Sequence, residues 1–221
     1  LDSDVVLPVD YFKAVDDELR RQPADAFGGP DCAHASFTDV QKAISYSMTS
    51  FFTTGGIRGG KKKLDKFYPR SFNMGIRRDV YTRLGGFSKM RFGEDIDFSI
   101  RIFKADCRCR LFPEAWVWHK RRTDFRKFWR QVYNSGIARI NLYKKYPESL
   151  KPVHLLPMVF TMGCAFLAVA FLLGIALFFT LPAGMQQALG IAISLLALAP
   201  LALYCVLIFF DATQRNNSCR I

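Results

Sequence analysis

The pattern of apolar and polar positions changes character near residue 151. Upstream, apolar residues recur among charges at helical or alternating spacing; from Pro152 to Phe210 there is no Asp, Glu, Lys or Arg at all. That uncharged run holds two apolar blocks, residues 155–181 and 188–210, each long enough to cross a bilayer as a helix of roughly 20 residues. Between them "PAGMQQ" (182–187) supplies a helix-breaking proline, a glycine and two amides, the composition of a tight turn. The pattern predicts a transmembrane helical hairpin. A buried hairpin inside a soluble protein would need more surrounding protein than 221 residues provide.

Upstream, "VDYFKAVDDELRRQ" (9–22) has helical apolar spacing stopped by Pro23, and "DVQKAISYSMTSFFTT" (39–54) predicts a second helix ended by Gly55 and Gly56. "GGIRGGKKK" (55–63), with four glycines and four cations, reads as a mobile basic loop. "RSFNMGIRR" (70–78) predicts a short strand entering a helix, and "CRCRLFPEAWVWH" (107–119) alternates as strands broken at Pro113. "DFRKFWRQVYNSGIARINLYKKY" (124–146) predicts a basic amphipathic helix, kinked near Gly136, that leads to the membrane. Alternating strands and helices indicate an α/β domain over residues 1–151.

Charge refines this picture. The formal net charge is +12, yet residues 1–40 hold nine acids and three bases, whereas residues 41–151 hold 26 bases and nine acids. An acidic edge set against a basic surface suits a divalent cation beside a polyanion such as a nucleotide diphosphate. Facing anionic lipid is the competing use of the cations; it fits residues 120–151 but not Arg58, Lys61, Lys62 and Lys63 far upstream. Residues 120–151 carry ten Lys or Arg against two acids, the turn between the blocks carries none, and the tail has Arg215 and Arg220. Retention of cations on the cytoplasmic side predicts a multi-pass protein of the cytoplasmic (inner) membrane with both chain ends in the cytoplasm. There the six cysteines are expected as reduced thiols. The C-x-C at 107–109, even with His34 or His119, lacks the paired spacing of a structural zinc site.

Three groups of residues can carry chemistry. Asp2 and Asp4 form D-x-D; if a strand ends near Leu1, both carboxylates point into one crevice and can hold Mg²⁺ or Mn²⁺, although a solvated turn has the same composition. In "RFGEDIDFSI" (91–100) Glu94 and Asp95 open a helix where the dipole favours anions, and Asp97 reads as a helix-surface acid paired with Arg101. A carboxylate at such a loop end also suits a general base. His119 closes a strand and can contact metal or phosphate or simply sit on the surface, while Lys120, Arg121, Arg122, Arg126 and Arg130 can clamp a diphosphate or lipid head groups.

In order, "DSD" (2–4), "FNMGIRRDVYTRLGGF" (72–87), "FGEDIDFSIRI" (92–102), "WVWH" (116–119), a basic helix and apolar spans resemble the carboxyl half of a family 2 glycosyltransferase of the GT-A fold. The resemblance covers nearly all of residues 1–151 and rests on order and spacing rather than on any one motif. It implies a partial GT-A (Rossmann-like) domain over residues 1–151, a transmembrane hairpin in 152–210 and a cytoplasmic tail, 211–221. It implies inverting, Mg²⁺- or Mn²⁺-dependent transfer from a nucleotide diphospho-sugar to a membrane-associated or envelope glycan or lipid acceptor. Asp4 would be the main metal ligand with Asp2 beside it, and His119 a further contact to metal or diphosphate. Asp95 would deprotonate the acceptor, Glu94 would contact the acceptor or orient the site, Asn73 would lie close to the donor sugar, and Arg121, Arg122 and Arg130 would meet the diphosphate. The basic loop at 55–63 would close over the donor.

Two departures bear on this. Processive members carry Q-x-x-R-W near the membrane, whereas this chain reads "FWRQVYNSGIAR", which favours single addition. The nucleotide-binding strands expected at the amino end of the family domain are missing from these residues, so the 221 residues alone are expected to be inactive. The rival reading is a non-catalytic membrane scaffold or an anionic-lipid-binding protein derived from a transferase. Nucleic-acid binding ranks last, because no recognised motif accompanies the cations.

Overall fold

The computed structural model describes residues 1–54, 67–180 and 184–214. It divides into two compact units, one formed by Leu1–Leu150 and the other running from Lys151. The basic loop expected at 55–63 and the tail cations Arg215 and Arg220 lie outside the described residues.

The first unit contains β1 (Val5–Val6), α1 (Tyr11–Arg21), β2 (Ala26–Gly28), β3 (Asp31–Cys32), α2 (Asp39–Thr49), α3 (Phe51–Thr54), β4 (Met74–Ile76), α4 (Arg78–Arg83), α5 (Glu94–Lys104), β5 (Cys109–Leu111), β6 (Val117–His119) and α6 (Phe125–Lys145). Two three-stranded mixed sheets form, in the orders β1-β6-β3 and β4-β2-β5. Phe112, Ala115, Val117 and Tyr11 make one core, Ala26, Val80, Phe98 and Ile102 a second, and Ile96, Ile100, Leu142 and Tyr146 a third, between α5 and α6.

The single helix expected at 39–54 is two helices. Ser50, fully buried, takes an extended conformation (φ −68°, ψ 143°), and its Oγ accepts from the backbone N–H of Phe52 at 3.2 Å. A serine that caps the next turn competes with continuing the previous helix. Asp4 immediately precedes β1. Cys107, Cys109, Cys164 and Cys205 are free thiols, with burial pushing Cys109 up to about 12. Cys32 is disulfide-bonded, against the expectation of reduced thiols throughout.

The second unit is a helical hairpin, α7 (Leu156–Thr180) and α8 (Met185–Gln214). Residues Pro152–Thr180 and Gln187–Gln214 have mean hydropathies of 2.5 and 2.6 and are long and apolar enough to cross a membrane. The helices run antiparallel, with Phe160 against Tyr204 and Gly174 against Gly190. They approach so closely that a Cβ on either of those glycines would meet the other's carbonyl oxygen at 2.7 Å.

Candidate active site

Helix α5 is preceded by its cap Gly93, whose φ of +83° lies in the left-handed region and where a Cβ would come within 3.1 Å of Ala138 on α6. Glycine avoids both penalties. Three acids follow in the first turn, but tertiary packing sends them to different fates. Glu94 stays partly exposed. Asp95 is 9% exposed, and its Oδ2 lies 3.4 Å from Nη1 of Arg70. A second guanidinium, that of Arg139 on α6, is held nearby: burial and Arg70 lower its pKa, while Asp95 and Tyr68 draw it up.

Asp97 is completely buried and accepts from Lys145 Nζ (2.6 Å), Arg101 Nε (3.0 Å) and Tyr146 OH (3.1 Å). Burial opposes its ionisation, but Lys145, Ser88 and Arg101 outweigh it and lower its pKa. The surface acid read from the sequence is instead an internal tie between α5 and the end of α6.

The second group gathers around His119 at the end of β6. β1 runs antiparallel on one side of β6 with Val5 opposite His119, so Asp4 arrives beside the imidazole, Oδ1 3.6 Å from Nε2. β3 runs parallel on the other side, with Asp31 opposite Val117, and its Oδ2 lies 3.3 Å from His119 Nδ1 and 2.6 Å from Arg121 Nη1. Burial works against the Asp31 carboxylate, but His119 and Arg121 outweigh it and hold its pKa at about 2.

Four consecutive residues link the two groups through the 3-10 turn Ser71–Asn73. Arg70 reaches Asp95 at 3.4 Å, Ser71 Oγ donates to Asp2 Oδ2 at 3.3 Å, and Phe72 stacks on His119. Asn73 turns inward. At 1% exposure its Nδ2 donates to the carbonyl of Ala115 and its Oδ1 accepts from Tyr11 OH, both at 2.7 Å. A side-chain contact to a donor sugar does not fit that arrangement, because the amide is enclosed and paired. Arg121, expected at the diphosphate, is likewise 6% exposed; besides Asp31 it reaches Ser45 Oγ at 3.4 Å, and its carbonyl accepts from Gln41 Nε2 at 3.0 Å. Arg122 and Arg130 are exposed, the former 3.3 Å from Gln131 Oε1.

Among the described residues no three His, Cys, Asp or Glu side chains gather into a complete cation site. The partial set at Asp4 and His119 nevertheless suits a divalent ion. One carboxylate faces one imidazole, and the other ring nitrogen is fixed by the Asp31 carboxylate. Such a pair fits an ion that takes its remaining ligands from phosphate oxygens and water. Asp31, Arg70, Ser71 and Phe72 were not singled out from the sequence.

Comparison with known proteins decides the family. Residues 1–210 match the model of glycosyl transferase family group 2. The chain belongs to that family. A 59-residue stretch is 32% identical to the probable glycosyltransferase YdaM of Bacillus subtilis (strain 168), taking in 27% of this chain and 14% of that protein. A mixed α/β unit followed by a helical hairpin is the fold class expected of a partial GT-A domain of this family with two apolar helices after it. Membership supports sugar transfer in general.

Proposed function

We propose that the chain contributes to a membrane-anchored, inverting transferase that moves one sugar at a time from a nucleotide diphospho-sugar to a lipid-linked or envelope glycan hydroxyl. The observation that carries this reading is the continuous turn Arg70–Asn73, one end of which touches Asp95 while its middle touches Asp2 and His119. A base and a diphosphate-binding group joined through four residues have the layout that a single displacement requires.

In this reading Asp95 takes the proton of the acceptor hydroxyl as its oxygen bonds to the sugar's anomeric carbon. The bond from that carbon to the diphosphate breaks, and its electron pair leaves with the diphosphate. Glu94, beside Asp95 and partly exposed, orients the acceptor. A divalent cation, Mg²⁺ or Mn²⁺, held by Asp4 and His119 with Asp2 beside them, would supply positive charge to the leaving group. Exposed Arg122 and Arg130 meet the diphosphate, while Arg121 and Asn73 act from beneath by fixing Asp31 and the turn. The domain assignment 1–151, 152–210 and 211–221, with the catalytic part and both ends cytoplasmic, belongs to the same proposal.

The test uses the full-length protein. Nucleoside diphosphates should raise its melting temperature only with Mn²⁺ present, and Asp95→Asn should abolish transfer while leaving that protection intact. Transfer retained by Asp95→Asn would remove Asp95 from its role, and wild-type protein without protection or transfer would point to the scaffold reading.

A further inference from the structure

Asp95 is already engaged on both of its oxygens. Oδ1 accepts the backbone N–H of Ile96 at 2.8 Å, Oδ2 faces Arg70 Nη1 at 3.4 Å, and the residue is 9% exposed. A hydroxyl approaching that carboxylate must displace one of these partners. The Ile96 amide is part of helix α5 and stays where it is. Arg70 is held by one contact, longer than the about 2.7–2.9 Å usual between a cationic N–H and a carboxylate.

Crowding of charge favours its release. Burial and then the like charge of Arg70 lower the pKa of Arg139, while Asp95 and Tyr68 raise it. Two guanidiniums therefore share one carboxylate. Moving Arg70 aside relieves their repulsion and leaves Arg139 to balance Asp95.

The place of Arg70 in the chain supplies its destination. Pro69 and Asn73 are both buried and fix the two ends of the turn, while the Arg70 side chain between them is partly exposed. Consecutive Cα atoms are about 3.8 Å apart, so Arg70 begins one residue from Ser71, whose Oγ donates to Asp2, and two from Phe72, stacked on His119. Rotation about its side-chain torsions, with the backbone unmoved, carries the guanidinium from Asp95 towards that end of the site. A diphosphate there offers a bidentate partner in place of a single long contact.

Resting on the reading of Asp95 as the acceptor base, we propose that Arg70 is shared between the two ends of the site. It holds Asp95 while the site is empty and passes to the donor diphosphate when that binds, leaving Asp95 Oδ2 to the acceptor hydroxyl. Asp95 is thereby withheld from water until the donor is in place.

The full-length protein with Mn²⁺, titrated with UDP, GDP, CDP, ADP and dTDP in turn while its melting temperature is followed, provides the test. If Asp95 and the diphosphate compete for Arg70, Asp95→Asn should reach half-maximal protection at several-fold lower diphosphate than the wild type. Arg70→Gln should need several-fold more, and the double variant should match Arg70→Gln alone. Arg70→Lys, which keeps the charge without the fork, should fall between wild type and Arg70→Gln, and takes its place in the comparison if Arg70→Gln does not fold. A gain from Asp95→Asn that persists in the double variant would reflect only the lost negative charge and would overturn the proposal, as would single variants that shift nothing. Both of those outcomes leave the base reading standing, since transfer by Asp95→Asn tests it separately. Protection by none of the five nucleotides overturns the proposal together with that reading.

Discussion

The ring of Phe72 lies over that of His119, with centroids 4.5 Å apart and planes inclined at 20°. Together with Asp31 on Nδ1 and Asp4 near Nε2, this holds the imidazole on three sides. Phe72→Leu keeps apolar bulk but loses the flat face. It should cost about 1 kcal/mol of stability, the usual worth of an aromatic pair, and raise the Mn²⁺ concentration needed for diphosphate protection several-fold. A denaturant series and an Mn²⁺ titration of the melting temperature check the two effects separately.

Asp31 contributes to the acid limb of stability. Its folded pKa of about 2 lies below the ordinary 3.8, so its contribution is fully present above about pH 4 and is lost as pH falls towards 2. The shift corresponds to roughly 2 kcal/mol. Asp97, also lowered, adds loss of the same sign. Asp31→Asn should flatten the fall in urea midpoint between pH 4 and pH 2. Near neutrality it should destabilise by about 3 kcal/mol, because Arg121 is left buried without its carboxylate.

Asp97→Ala should detach the end of α6 from α5. It removes an acceptor shared by Lys145, Arg101 and Tyr146. The expected loss is about 3 kcal/mol, at the low end for a buried pair because Lys145 remains within reach of water. Hydrogen exchange should rise at Leu142–Tyr146 and leave the β1-β6-β3 sheet protected; uniform exchange across the unit would contradict the tie.

Gly174→Leu should separate the two apolar helices. A side chain there meets the Gly190 carbonyl and the backbone of Ser194, and neither can move aside as a flexible side chain would. Overpacking of this kind costs about 1–3 kcal/mol. The variant should melt earlier in detergent, while Gly163→Leu, where a Cβ meets nothing within 4 Å, should not.

The extent of sequence legibility follows the range of the forces involved. The two apolar helices, α1, α5 and α6 were readable because hydrophobic run length, helical spacing and a stopping Pro23 or opening Gly93 act within a few residues. β1 and β3 were not, since strands of two residues carry no periodicity. The break at Ser50 was hidden for a related reason: a serine is compatible with a helix, and its burial and capping hydrogen bond came from the fold.

The sequence by itself determined the family motifs, the hairpin and the placing of Glu94 and Asp95 at a helix start. Only the tertiary structure separated Asp95, beside Arg70, from Asp97, enclosed between two helices two positions later. It alone brought Asp4, Asp31 and Phe72 around His119, through strands and a turn far apart in the chain. Helix dipoles and hydropathy are local and can be counted along a sequence. Burial and the pairing of charges depend on which elements return to cover one another, and that is settled by the packing of the whole domain.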